Sequence, residues 1–191
     1  MSSIKQRIIF SESACRIVAD PFIVGDELLG LSLASSMDFV SSLDMSSLRG
    51  PFTVLNILRG GRYYRLTDAW NATVNRSGSV PLQLAEIRAS RTVDDDGNWC
   101  ARIWHDESVC SVPMEQSSRH LLLMKTLIIG DTIATGATLT NVLKWVVDWR
   151  EKHGVRRPFK IVLFSICGSS VAKYKLFPLY KEVLRPRFEC Q

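Results

Sequence analysis

The chain has 191 residues, with 24 Lys and Arg against 19 Asp and Glu and a formal net charge of +5. A content of 46% hydrophobic and 23% charged residues, with 11 Gly and 7 Pro, excludes collagen-like, low-complexity and largely disordered chains and suits one domain around a sizeable apolar core. The basic residues are scattered and only Arg156-Arg157 are adjacent, so the positive balance favours a small polyanionic ligand and makes a nucleic-acid tract unlikely.

The first forty-odd residues read as irregular, with short apolar runs at Ile8-Ile9-Phe10 and Phe22-Ile23-Val24 and a helix expected around Leu28 to Leu43. Phe52 to Leu58 is rich in β-formers and ends on Arg59-Gly60-Gly61, after which Tyr64 to Val74 reads as a helix. A second strand is expected over Leu82 to Ile87. Asp94-Asp95-Asp96-Gly97-Asn98 is a turn signal, and a strand over Trp99 to Trp104 would complete a hairpin with a charged tip. His120 to Ile129 (HLLLMKTLII) is nearly continuous in apolar residues, as expected of a strand buried on both faces of a parallel sheet.

Gly130 to Thr138 then reads as a loop. Beyond it Leu139, Val142, Leu143, Val146 and Val147 lay one apolar stripe along a helix that Gly154 and Pro158 stop. Lys160 to Ile166 is a further apolar strand, followed by a turn at Gly168-Ser169-Ser170 and a short helix toward Pro178. Two buried strands joined by one helix make a right-handed βαβ unit, so the fold class is α/β with a mainly parallel sheet flanked by helices, in a single domain.

The cysteines (Cys15, Cys100, Cys110, Cys167 and Cys190) are odd in number and form no C-x-x-C pair, and no histidine stands at zinc-finger spacing. Reduced thiols in a cytoplasmic protein are expected. No apolar run reaches the roughly 20 residues of a membrane span, and the N-terminal runs are too short for a secretory signal. His105, His120 and His153 are isolated and are not expected to be catalysts. Trp145 and Trp149, one helical turn apart, suit packing or a subunit contact.

In an open α/β sheet, ligands bind at the carboxyl ends of the strands, which directs attention to Arg59-Gly60-Gly61 and to Gly130 through Thr138. In TLIIGDTIATGATLT the strand delivers Asp131 to the sheet edge, and Ala134-Thr135-Gly136-Ala137-Thr138 turns into a helix. Such a turn offers successive backbone N–H groups, threonine hydroxyls and the positive end of the helix dipole, a site suited to a phosphate monoester. No G-x-x-x-x-G-K-[ST] is present and no G-x-G-x-x-G follows a strand, which disfavours an ATPase or a dinucleotide enzyme.

An apolar strand, an acidic residue and A-T-G-x-T opening a helix resembles the phosphoribosyl-pyrophosphate (PRPP) loop of the type I phosphoribosyltransferases. Upstream, Ile57-Leu58-Arg59-Gly60-Gly61 resembles the pyrophosphate loop of that family, particularly its uracil-phosphoribosyltransferase-like branch. The resemblance spans about Phe52 to Ile166. It implies that the first fifty residues and the C-terminal end contribute to a small hood, and that Glu86 through Trp104 holds the position of a flexible catalytic loop. One departure stands out. The family pattern pairs two acidic residues where this chain has Gly130 and Asp131.

The activity so implied is magnesium-dependent transfer of ribose 5-phosphate from PRPP to a nucleobase or similar heterocycle, with release of pyrophosphate, by a homodimer. By the same resemblance, Ala134, Thr135, Gly136, Ala137 and Thr138 would bind the 5-phosphate and Asp131 the ribose hydroxyls. Arg59, Gly60 and Gly61 would bind pyrophosphate, and Arg88 and Arg91 would close over the leaving group. Mg2+ would be held mainly by ligand oxygens and water, without direct protein ligands. A catalytically silent regulator that binds PRPP or a nucleotide is the alternative, motivated by Gly130.

Overall fold

The computed structural model describes residues 7–58, 61–74, 80–93, 95, 97, 99–106, 108–133, 136–168 and 178. Their fold is α/β. A five-stranded sheet has the order β3-β2-β1-β4-β5, built from β1 (Phe52–Ile57), β2 (Leu82–Val93), β3 (Trp99–Trp104), β4 (Thr126–Gly130) and β5 (Lys160–Phe164). β1 pairs in parallel with β2 and with β4, β4 pairs in parallel with β5, and β3 alone runs antiparallel, against β2.

The helices are α1 (Glu12–Ala19), α2 (Gly25–Ser41), α3 (Leu66–Thr73), α4 (Met114–Leu123) and α5 (Ala137–Lys152). Strand alternation sorts the core into two layers, because successive side chains of a strand face opposite ways. Leu55 and Ile57 of β1 and Leu127 and Ile129 of β4 join Leu121 of α4 and Leu139, Val142, Leu143, Val146 and Val147 of α5. On the other face, Phe52, Val54 and Ile128 meet Phe39 and Val40 of α2 and Leu66, Ala69 and Trp70 of α3. The expected apolar stripe of α5 is thus buried over its whole length.

The structure differs from the sequence expectations at four places. The N-terminal stretch read as irregular contains α1, capped by the Ser11 hydroxyl, which accepts from the Ala14 amide at 3.3 Å. The apolar run His120 to Ile129 is not one strand. Its first part is the last turn of α4, where Leu121 is buried and Leu123 is 52% exposed, and the strand begins only at Thr126. Strand β2 runs on from Ile87 to Val93, because Arg88 through Val93 pair with Trp104 through Trp99. The last strand, β5, ends at Phe164 and is half-buried; it lies at the edge of the sheet among the described residues, with Ile161 and Leu163 packed against one core layer and Val162 and Phe164 against the other. Residues 169–177, where a turn and short helix are expected, lie outside the described residues, as do Asp94, Asp96 and Asn98 of the hairpin tip.

The α5 stripe ends on a charge. Arg150 is 2% exposed, and its guanidinium donates to the Leu121 carbonyl at 2.5 Å, Leu122 at 3.1 Å, Met124 at 3.4 Å and Arg157 at 3.2 Å. These include carbonyls that the end of α4 leaves without intrahelical donors, and a cation there also suits the helix dipole. Burial lowers the Arg150 guanidinium to about 10, still charged at neutral pH. Cys15, Cys110 and Cys167 carry free thiols. Among the described residues no helix is long and apolar enough to cross a membrane.

Replacing Arg150 by Met keeps the aliphatic bulk but strands these buried carbonyls, at about 1–3 kcal/mol for each one not rescued by water. Urea unfolding is expected to show a loss of about 3 kcal/mol, more than a typical surface substitution gives.

Candidate functional site

Strand β4 hands over to α5 through a turn held on both sides. The Asp131 amide donates to the Phe164 carbonyl of β5 at 3.1 Å, and the Thr132 amide donates to Asp131 Oδ1 at 2.8 Å, so the carboxylate folds over its own successor. Ile133 remains tied to the segment after β5, its amide donating to the Cys167 carbonyl at 3.4 Å beside a bridge to Gly168. Gly136 then opens α5 with φ of 72° and ψ of −2°. A side chain in that left-handed conformation costs about 1–2 kcal/mol, which accounts for glycine at this point of the A-T-G-x-T motif. Ala137 and Thr138 follow, both buried in the first turn. Ala134 and Thr135 lie outside the described residues.

Gly130, the last residue of β4, has a different reason to be glycine. A Cβ there would stand 2.9 Å from Leu66 Cδ1 and 3.0 Å from both Cβ and Cγ of Tyr64. The position before Asp131 therefore has no room for a carboxylate. Tyr64 occupies the space instead, only 4% exposed, with its ring edge-on to Phe164 at a centroid distance of 5.5 Å and its carbonyl accepting from the Ser36 hydroxyl. Its phenol oxygen is 3.1 Å from Thr132 Oγ1. Burial pushes the phenol above its ordinary value; hydrogen bonding to Thr132, Ser165 and the Ile166 main chain works the other way, and the Asp131 charge adds to the rise. The group is a neutral hydroxyl at physiological pH.

Across β1, the neighbouring strand ends bring a second set together. Gly61 begins a short 3-10 turn, Gly61–Tyr64, while Arg59 and Gly60 lie outside the described residues. Arg62 on that turn reaches Glu86 of β2, with Nε 3.3 Å from Oε1, and its Nη2 donates to the Val109 carbonyl at 2.6 Å. Glu86 is 1% exposed and also accepts from the Ser111 amide at 2.5 Å, the Ser111 hydroxyl at 2.8 Å and the Val112 amide at 3.2 Å. Burial alone would raise the Glu86 carboxyl; the donors from Ser111, Arg62 and Val112 outweigh it and hold the group below the usual range.

Arg88 lies on β2, with Nη1 2.8 Å from Asp106 Oδ2 and the guanidinium 5.3 Å from the Trp104 ring centroid. The Ser108 hydroxyl and then Arg88 hold the Asp106 carboxyl down at about 2. The segment expected to be a flexible catalytic loop is, from Arg88 to Trp104, largely a paired β-ribbon. Arg91 is paired within it opposite Ala101, and its side chain lies outside the described residues.

The carboxyl ends of β1 and β4 thus bring Gly61, Asp131 and the Gly136–Thr138 turn to one edge of the sheet, and Arg88, within β2, stands one residue beyond the last β1 pairing, Ile57 with Ile87. Tyr64, Thr132, Arg62 and Glu86 complete that edge without having been singled out as site residues. Glu86 carried a legible signal, a lone carboxylate inside the apolar run Leu82 to Ile87. Tyr64 carried none, since an aromatic residue at the start of a helix reads as packing. Neither a family model nor a curated protein sequence matches the chain.

Gly130→Ala forces Tyr64 or Leu66 to move by several tenths of an ångström, and overpacking of this kind costs about 1–3 kcal/mol; thermal unfolding should show the loss. Glu86 supplies a pH test. Its folded value lies below the ordinary 4.5, so its stabilisation is complete above pH 4.5 and is lost as the pH falls through the folded value. The Glu86→Gln protein is expected to be less stable at pH 7 and to lose less stability than wild type below pH 4.5, as read by denaturant midpoints at each pH.

Proposed function

We propose that the chain is a phosphoribosyltransferase that moves ribose 5-phosphate from PRPP to a nucleobase or similar heterocycle and releases pyrophosphate. The observation that carries this is the junction of β4 and α5, where a left-handed glycine opens a helix six residues beyond the end of a buried parallel strand, with Asp131 and the buried Thr138 on the same edge. A phosphate monoester suits such a junction because helix-terminal amides and the dipole favour negative charge.

In this mechanism the Gly136–Thr138 turn, with Ala134 and Thr135, binds the 5-phosphate, and Asp131 takes the ribose hydroxyls. The Asp131 carboxylate also favours the positive charge that develops on the sugar ring as the bond to pyrophosphate breaks. Gly61, with Arg59 and Gly60, would bind the leaving group. Arg88 exchanges Asp106 for phosphate oxygens, and Arg91 closes from the same ribbon, since a guanidinium fork matches phosphate geometry. The described residues contain no group of three or more His, Cys, Asp or Glu that could cage a metal ion. Mg2+ would be held mainly by PRPP oxygens and water and would supply charge neutralisation of the leaving group.

A homodimer belongs to the same proposal: Ile8, Phe10, Val18, Phe22 and Val24 are exposed on and around α1, and pairing of two copies would cover apolar surface of this kind. A silent PRPP- or nucleotide-binding regulator is the second possibility, favoured by the crowding that bars a carboxylate from position 130.

Calorimetric titration with Mg·PRPP and a pyrophosphate-release assay across a panel of bases decide between them. The enzyme is expected to release pyrophosphate with at least one base. Asp131→Ala should abolish transfer, and Thr138→Val should weaken PRPP binding by about tenfold, the worth of one hydrogen bond to a charged group. Tight binding with no release from any base identifies the regulator, and absence of binding removes both.

A further inference from the structure

The end of β4 carries a device that serves Asp131 without touching a ligand. Tyr64 belongs to the turn after β1 and Thr132 to the turn after β4, and the two meet at the phenol oxygen. The Tyr64 ring cannot slide, because Gly130 lies against its Cβ and Cγ on one side and Phe164 closes on it edge-on. Its carbonyl is fixed as well, by the Ser36 hydroxyl of α2. A ring so confined presents its hydroxyl at a constant position. From there the connection runs in two steps: the phenol oxygen to Thr132 Oγ1 at 3.1 Å, then the Thr132 amide to Asp131 Oδ1 at 2.8 Å.

We propose that Tyr64 is a positioning residue, whose buried hydroxyl fixes the Asp131–Thr132 turn against β5 and so aims the Asp131 carboxylate at the sugar hydroxyls of a bound phosphoribosyl group. The ligand part of this rests on the transferase function proposed above; the positioning part rests on the geometry alone. The glycine at 130 belongs to the same device. Any larger residue there would displace the ring, so the space that could have held a second carboxylate houses the strut for the remaining one. Asp131 is thereby held before a ligand arrives, which spares the ordering that a loose carboxylate would need on binding.

Tyr64→Phe removes the hydroxyl and keeps the ring, so the unfolding temperature should stay within about 3 °C of wild type, equivalent to less than one net hydrogen bond. Mg·PRPP binding is expected to weaken by about tenfold, and Thr132→Val, at an exposed position, should reproduce the loss. In an Asp131→Ala background Tyr64→Phe should cost less than about twofold, because the group it positions has already gone. Equal losses in the two backgrounds, or wild-type binding by Tyr64→Phe, overturn the proposal.

If the wild-type chain binds no PRPP, the transferase function fails separately. The positioning claim is then decided by the 13C carboxyl resonance of Asp131 in ligand-free protein. A shift of that resonance in both Tyr64→Phe and Thr132→Val sustains the claim, and an unchanged resonance overturns it.

Discussion

Crowding at the end of β4 governs the arrangement of the whole edge. The backbone at Gly130 lies so near Tyr64 and Leu66 that an added Cβ would meet them at 2.9 to 3.0 Å. Close packing makes such an approach worth having, since apolar atoms in contact gain dispersion energy that a gap would forfeit. It brings the start of α3 onto the sheet, seats the Tyr64 ring against Phe164, and leaves the phenol beside Thr132. The same approach empties position 130 of any side chain. One steric fact thus explains both the lack of a side chain at position 130 and the buried tyrosine beside the Asp131 turn.

On the other side of β1, charge takes the place that crowding has at β4. Glu86 is buried in a strand, where an unpaired carboxylate would be too costly to keep ionised. Donors from Ser111, Val112 and Arg62 meet it, and they come from the turn after β1 and the segment after β3. Asp106 gathers Ser108 and Arg88 in the same way at the surface. The segment between β3 and α4 is therefore held by carboxylates as well as by the buried Val112.

For a transfer reaction these two halves have complementary properties. The described part of the β4–α5 half is packed and tied to the strand beside it, which in the proposed chemistry would suit gripping a sugar phosphate that must not shift while a bond breaks. The β2–β3 half carries Arg88 and Arg91 on a ribbon, with Arg88 in an ion pair 40% exposed on the arginine side, which a phosphate can replace at small cost. A rigid half for the retained group and an exchangeable half for the leaving group is the division of labour that the proposed chemistry requires.

Local sequence determined much of this protein. The α5 stripe, the strand from Phe52 and the antiparallel pairing up to Trp104 follow from periodicity and turn chemistry acting over a few residues, and the α/β class follows from their order. Tertiary structure decided the rest. It divided the apolar run from His120 to Ile129 between α4 and β4, because burial of Leu121 and exposure of Leu123 depend on what each side chain meets, which hydropathy along the chain does not record. It placed Glu86 among Arg62, Ser111 and Val112, and it set Tyr64 against Gly130. Those partners are far apart in sequence and become neighbours only when parallel strands align their carboxyl ends, and distance in space, not order along the chain, fixes packing and electrostatic energy.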